Sequence, residues 1–513
     1  MTTFTPVSCS LADLVGAHVT DAACQARAFL TGSDGGALQK LAAAPVEFWP
    51  AAAQQRLREL LPQAGQVVTK PLAGSANGAG TRLFQSATKT ALAPVSGLGY
   101  FRVGEDGRLY VISKSEHYHV PLGHNFPGYA LIDRARALGI PNATHNNTRG
   151  PITRRLEEEL VRAANGLSAT ADLTGVLNST APDVLNRVLN LETGSLAAEA
   201  AFKLALARFD RYDAASAAPK YHGRVPVFLV LGDDDGAPTG NYHGTTIATQ
   251  LLRGLWPELR TQLESAGAFR VCAVRPNSLA DLKAAFQQYE QPPFKIAAFF
   301  HEIIMMNYGA RRLTEEFLQL AYQLCAAHDV PTIVDEIQSC MWYEGLFLFR
   351  HYGLKPTMVV LGKGFPGGEY PASRILFNAR YDLLPQFGAL VTNGQEELAA
   401  LAYLITMKWT LANGGAITTA SRQIENGFRE VAREFPNVVV GVEGQGHLLG
   451  MRFVDLARGR AFVSAMTQMG FDISVQSYKA DCPPVALTKL PTIADATLIE
   501  FTLERMRQAL RQV

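Results

Sequence analysis

A chain of 513 residues, 48 % hydrophobic and 18 % charged, has the composition of an ordinary soluble globular protein, with room for a large core and more than one domain. Its net charge of +1 offers no field for nucleic acid or an anionic membrane, and its six cysteines include no CxxC pair, which argues against a metal site and a disulfide framework. The first residues carry no basic segment followed by an apolar run, and no apolar stretch approaches about 20 residues, so a reducing, cytoplasmic location is expected.

Residues 1 to about 70 show apolar residues at helical spacing, as in the run from Phe48 to Leu61, and read as a helical extension. A Gly-rich stretch, Ala73 to Gly80, reads as a linker, because no lysine or helix start follows it in register. The alternation from Gly99 to Ile112, with Glu105-Asp106-Gly107 in its middle, predicts a β-hairpin. A breaker-rich loop, Pro121 to Pro127, precedes helical patterns over Tyr129–Leu138 and Thr153–Ala164, the second opened by Thr153. Thr193, Gly194 and Ser195 stand where a strong helix begins, and free N–H groups at such a terminus favour an anion, although taken alone they read better as a plain cap.

Strand-like runs then follow at Val225–Leu231, Phe269–Val274, Lys295–Phe300, Pro331–Val334, Thr357–Leu361 and Ser373–Phe377, most of them separated by helical patterns. That alternation predicts an α/β fold with a mostly parallel sheet covered by helices. Helices over Gln395–Leu411 and Ala420–Glu434, strands over Val438–Val442 and His447–Val454, and a terminal helix over Thr492–Gln512 predict a smaller α+β domain. The expected divisions are 1–90 (helical extension), 91–170 (first part of the small domain), 171–394 (large domain) and 395–513 (the rest of the small domain).

Chemistry concentrates where two of these strands end. The run PTIV delivers Asp335 and, three residues later, Gln338; the run TMVVL delivers Lys363 between Gly362 and Gly364. In an open α/β sheet such groups face the ligand crevice at the carboxyl ends of the strands. A P-loop is rejected, because Gly364 stands where Ser or Thr is needed. An acid beside a lysine fits pyridoxal 5′-phosphate: the lysine forms the Schiff base, and the acid pairs with the ring nitrogen. Tyr242, between glycines in Gly240 to Gly244, is placed to stack on a planar ring or to fill a core.

Six segments in order carry a family resemblance: PLGHNFP at 121–127, TGS at 193–195 with Glu199, NYHGTT at 241–246, VDEIQ at 334–338, LGKG at 361–364 with Gly367-Gly368, and TNG at 392–394. Together they resemble the class III aminotransferases, fold-type-I pyridoxal-phosphate enzymes that include ornithine, acetylornithine and 4-aminobutyrate transaminases. The resemblance covers roughly residues 95–510 and implies a large domain built on a seven-stranded sheet.

It also implies roles. Lys363 bonds the cofactor and moves the proton, and Asp335 holds the pyridine nitrogen. Gln338 reaches the phenolic oxygen, Tyr242 stacks on the ring, and Gly194 and Ser195 hold the phosphate. His243 and Glu302 complete the cofactor shell, and Thr392 reaches the phosphate of the neighbouring subunit in a homodimer. The partners implied are an amino donor and a keto acceptor.

The departures fall on the substrate side. Thr245 replaces the arginine of the family's YHGRT, the second glutamate of its VEPIQGEGG falls near Asn307, and Lys489 stands near the place of its C-terminal arginine. Lysine is not equivalent to bidentate arginine as a carboxylate grip. Arg149 is a candidate substitute, or a structural arginine. Transamination is therefore weighed against racemisation, epimerisation or elimination of ammonia or phosphate on the same fold, and against a non-catalytic relative, which the intact Lys363 and Asp335 oppose.

Overall fold

The computed structural model describes residues 4–145, 147–476, 482 and 484–513. The chain forms two compact units, one of Met1–Ser8, Val46–Tyr129 and Gly415–Val513, the other of Cys9–Pro45 and Ala130–Gly414. These do not follow the four divisions expected from sequence. Helices between residues 9 and 45 group with the large sheet, and the segment from Ala130 onward joins it too, because helix Pro151–Ala164 packs on helix Glu397–Ala412.

The larger unit is organised by seven strands: β1 (Arg187–Leu191), β2 (Val225–Leu231), β3 (Arg270–Val274), β4 (Phe294–His301), β5 (Thr332–Asp335), β6 (Met358–Leu361) and β7 (Ser373–Phe377). Their spatial order is β1-β7-β6-β5-β4-β2-β3, and β7 alone runs antiparallel to its neighbours. All six sequence-predicted strands agree with these to within one residue at either end. The seventh, β1, was not expected. Its sequence, RVLNL, lacks a clear apolar run, and it is a strand because β7 pairs with it from Ser373↔Leu191 to Phe377↔Arg187.

Three helices frame the sheet: α1 (Pro151–Ala164), α2 (Gly194–Leu206) and α3 (Glu397–Ala412). The α2 alanines at 197, 198, 200, 201 and 205 form one core with Phe228, Val230, Phe300, Ile333, Val360 and Ile375. Small side chains let this helix lie close on the sheet. Helix α1 begins at Pro151, not at Thr153. Proline suits the first helical position, and the Glu397 carboxylate caps the open end by accepting from the N–H groups of Ile152 (2.9 Å) and Thr153 (3.0 Å).

The other unit holds an antiparallel sheet of Pro94–Leu98, Phe101–Gly104 and Leu109–Val111, which contains the expected hairpin. A second sheet orders Val439–Gln445, Leu448–Phe453, Val485–Thr488 and Ser474–Val475, with helices Leu456–Gln468 and Ala496–Leu510. Between them lies a local anomaly: Ser115, Glu116, His117 and Tyr118 have φ of 46°, 49°, 57° and 76° in succession. A left-handed turn of non-glycine residues costs about 1–2 kcal/mol per residue, so it must be held. Glu116 accepts from Arg102 and lies 2.9 Å from His124, and the Ser115 hydroxyl donates to the Lys489 carbonyl at 2.6 Å.

Candidate active site

Strands β5 and β6 are parallel neighbours, with Asp335 in register with Val360. Lys363 follows Val360 by three residues, so the acid and the lysine emerge at the same carboxyl-terminal edge of adjoining strands. Lys363 itself has φ +46°, a left-handed conformation that a non-glycine residue keeps only where its surroundings enforce it.

Asp335 is buried and held at both oxygens. The Ile337 N–H donates to Oδ1 at 3.0 Å, and Nδ1 of His243 lies 2.8 Å from Oδ2. His243 thus stands against the acid, and its own Nε2 is buried without a hydrogen-bond partner. Three residues after Asp335, Gln338 is also buried, its Nε2 donating to Glu302 Oε1 at 2.9 Å. Next to Asp335, the fully buried Glu336 carboxyl is pushed up to about 7 by desolvation, although Ser339 and the Phe349 N–H both donate to it.

The N-terminus of α2 comes to the same edge. A Cβ on Gly194 would lie 2.4 Å from Ile337 Cδ1, and one on Gly362 would lie 3.5 Å from the Gly194 nitrogen. The Tyr242–Thr246 loop closes on it. Gly244 has φ +128°, a Cβ there would meet Ser195 Oγ at 2.6 Å, and the Thr245 N–H donates to that oxygen at 3.1 Å. The Thr193 side chain caps the helix through the Leu196 N–H. An open helix N-terminus lined by glycine and serine suits a phosphate, and a buried carboxylate at the sheet edge suits a protonated ring nitrogen. These residues fit pyridoxal phosphate.

The remaining residues lie as follows. Tyr242 is half-buried, with the Arg253 guanidinium 5.2 Å from its ring centre. Thr392 is exposed on the turn before Gly394. Asn307 is half-buried in the hairpin between Ile304–Met305 and Arg311–Arg312. Arg149 pairs with Glu157 at 3.5 Å, and Asn190 holds the same carboxylate at 2.6 Å. Its side chain is exposed, so it keeps a surface ion pair with Glu157 and an open face. Lys489 is fully buried in the other unit, its Nζ 4.3 Å from the centre of the Tyr118 ring.

With this geometry in place, comparison with known proteins is decisive about family. The class-III aminotransferase profile matches residues 85–510, and the chain belongs to that family. Its members are pyridoxal-phosphate enzymes, so the cofactor is the one these residues fit. The chain is similar to the ornithine aminotransferase car2 of Schizosaccharomyces pombe, 28 % identical over 53 % of this chain and 55 % of that protein. The match thus spans about half the length of this curated relative. Among solved structures, an aminotransferase from Bacillus anthracis superposes with TM-score 0.67 at 18 % identity, covering 90 % of this chain and 99 % of that one. Ornithine aminotransferase from Plasmodium yoelii gives 0.63 at 16 %, covering 90 % and 99 %. These likenesses show the fold-type-I architecture.

Proposed function

We propose that the protein is a pyridoxal-phosphate-dependent aminotransferase, moving an amino group from an amino acid or amine to a 2-oxo acid or aldehyde. The observation that carries this is the Lys363–Asp335 pair on adjoining strand ends, with His243 behind the acid, inside a chain matched to the family over residues 85–510. Bound pyridoxal phosphate supplies an electron sink that acidifies the substrate Cα–H.

The chain's own residues do the rest. Lys363 would provide the amine that bonds the cofactor and the base that moves the proton at Cα. Asp335 keeps the ring nitrogen protonated, and His243 and the Ile337 N–H fix the carboxylate for that task. Gln338, oriented by Glu302, serves the phenolic oxygen. Gly194 and Ser195 would hold the phosphate through their N–H groups, and Tyr242 would cover the ring.

We also read the protein as a cytoplasmic homodimer in which Thr392 reaches the partner's phosphate. Its exposure supports that reading; among the described residues no helix is long and apolar enough to cross a membrane. Two of the three relatives named above are ornithine aminotransferases by name, and an ω-amino acid is accordingly the first donor to try. Lys489 is buried against the Tyr118 ring, which leaves the exposed Arg149 as the remaining candidate carboxylate grip, and a plain amine comes next.

The test is a half-reaction. Purified holoprotein mixed with one donor and no acceptor should lose its visible absorbance stoichiometrically, yield the keto product, and recover on addition of a 2-oxo acid. Racemised donor or free ammonia, with the absorbance unchanged, would instead establish the racemase or lyase alternative.

A further inference from the structure

Arg374 is completely buried at the crevice edge of β7, and no role has yet been found for it. Alternation along the strand sets its direction. Ile375 and Phe377 belong to the α2 core, so Arg374 points to the opposite face, where the Tyr403 ring of α3 lies 5.0 Å from its guanidinium. Its Nη1 donates to two backbone oxygens, Leu191 at 3.1 Å and Ser373 at 2.7 Å. Its Nε and Nη2 are buried with no hydrogen-bond partner. The carboxylates of Glu157 and Glu396 act on it only through space, and burial holds its affinity for the proton below the usual arginine level. An arginine buried without a contacting counter-ion is costly, and natural interiors rarely keep one without a use.

The carbonyls it holds point to that use. Leu191 ends β1 three residues before Gly194, so the bond to Leu191 fixes the turn that opens α2. Ser373 lies beside the lysine turn, where a Cβ on Gly362 would meet its Cβ at 3.4 Å. The positive group therefore sits behind both halves of the cofactor cradle, in surroundings where water does not screen it.

We propose that Arg374 is a positioning residue for the cofactor's phosphate: it fixes the β1–α2 turn through Leu191 and adds a positive charge behind the helix N-terminus that receives the anion. This rests on the reading that pyridoxal phosphate binds here. The proposal makes the arginine matter for the phosphate and not for the ring, and the two can be separated.

The experiment titrates protein stripped of cofactor with pyridoxal 5′-phosphate and, in parallel, with pyridoxal, which lacks the phosphate. Binding is followed by absorbance and by quenching of protein fluorescence. Arg374→Met should weaken binding of the phosphate form about tenfold or more while changing pyridoxal binding less than about twofold. Arg374→Lys, which keeps the charge but not the fork, should fall between, again only for the phosphate form. Equal losses for both compounds would reduce Arg374 to a general structural role and overturn the proposal, as would no loss for either. If Arg374→Met does not fold, the ratio of the two losses in Arg374→Lys decides by the same criterion. A wild type that binds neither compound would instead refute the cofactor reading itself.

Discussion

At the amino-terminal edge of the seven-stranded sheet, Lys295 donates to both Glu290 oxygens, at 2.8 and 3.0 Å, and to the His328 carbonyl at 2.8 Å. Nearby, Arg208, Lys220 and Tyr221 converge on Asp329. At the carboxyl-terminal edge the valences of the buried polar groups are not all used: His243 Nε2, Asn241 Oδ1 and two nitrogens of Arg374 lack partners, while at the opposite edge Arg270 Nε, at the start of β3, lacks one. Low dielectric makes an unsatisfied group expensive and a satisfied network rigid. The first edge therefore spends most of its charges on holding the fold together, and the second leaves more of its buried donors and acceptors unused.

The sharpest way to break this contrast is Lys363→Ala. Covalent attachment of the cofactor should vanish and turnover fall by at least about a thousandfold, while thermal unfolding of the cofactor-free protein stays within a few degrees of wild type. Mass spectrometry after borohydride reduction checks attachment, and a label on any other lysine would contradict the assignment. Asp335→Asn keeps the shape and loses the charge. It should slow turnover by about 10²–10⁴-fold and weaken cofactor binding, again with little change in unfolding. Near-normal rates would remove the acid from its role.

The opposite edge should answer the other way. In Lys295→Met the Glu290 carboxylate, whose side chain is 10 % exposed, loses its buried partner, and the protein should lose about 3 kcal/mol of stability in denaturant titration. Cofactor affinity should be unchanged. If it fell in proportion to stability, the two edges would be one coupled network and the contrast would fail.

The sheet was largely legible because buried parallel strands are written as apolar runs ended by turn residues, and Asp335 and Lys363 stood out as the charges at two such ends. What was hidden is what depends on distant partners. His243 meets Asp335 across 92 residues of chain, and nothing local marks the histidine as the support of that acid and not as a ligand of the ring. The same holds for Lys489: nothing local marks the Tyr118 ring that its ammonium lies over. Strand β1 was missed because its identity as a strand comes from β7. Arg374 did carry a local signal, a charge inside the otherwise apolar run SRILF, which marks a side chain that the interior must accommodate.

Glu336 tests the contrast at its finest grain. It lies at the ligand edge, next to Asp335, yet it is fully satisfied, with Ser339 and the Phe349 N–H donating to its carboxyl. By the argument above it should behave like the groups of the opposite edge, affecting stability and not cofactor binding. Its folded pKa is raised to about 7 by burial, from an ordinary 4.5. The native state therefore holds this proton between those values while the unfolded chain has released it. The contribution to stability is complete below pH 4.5 and is lost as pH rises through 7. In Glu336→Gln the amide can accept from Phe349 and donate to the Ser339 hydroxyl, so the packing survives and the titration disappears. The stability difference between wild type and variant should shrink or reverse by on the order of 2 kcal/mol between pH 4.5 and 7.5, read from denaturant unfolding of the cofactor-free proteins. Parallel pH profiles would place the titration elsewhere. A large loss of cofactor affinity in the variant would mean that hydrogen-bond satisfaction does not separate structural from functional charge at this edge.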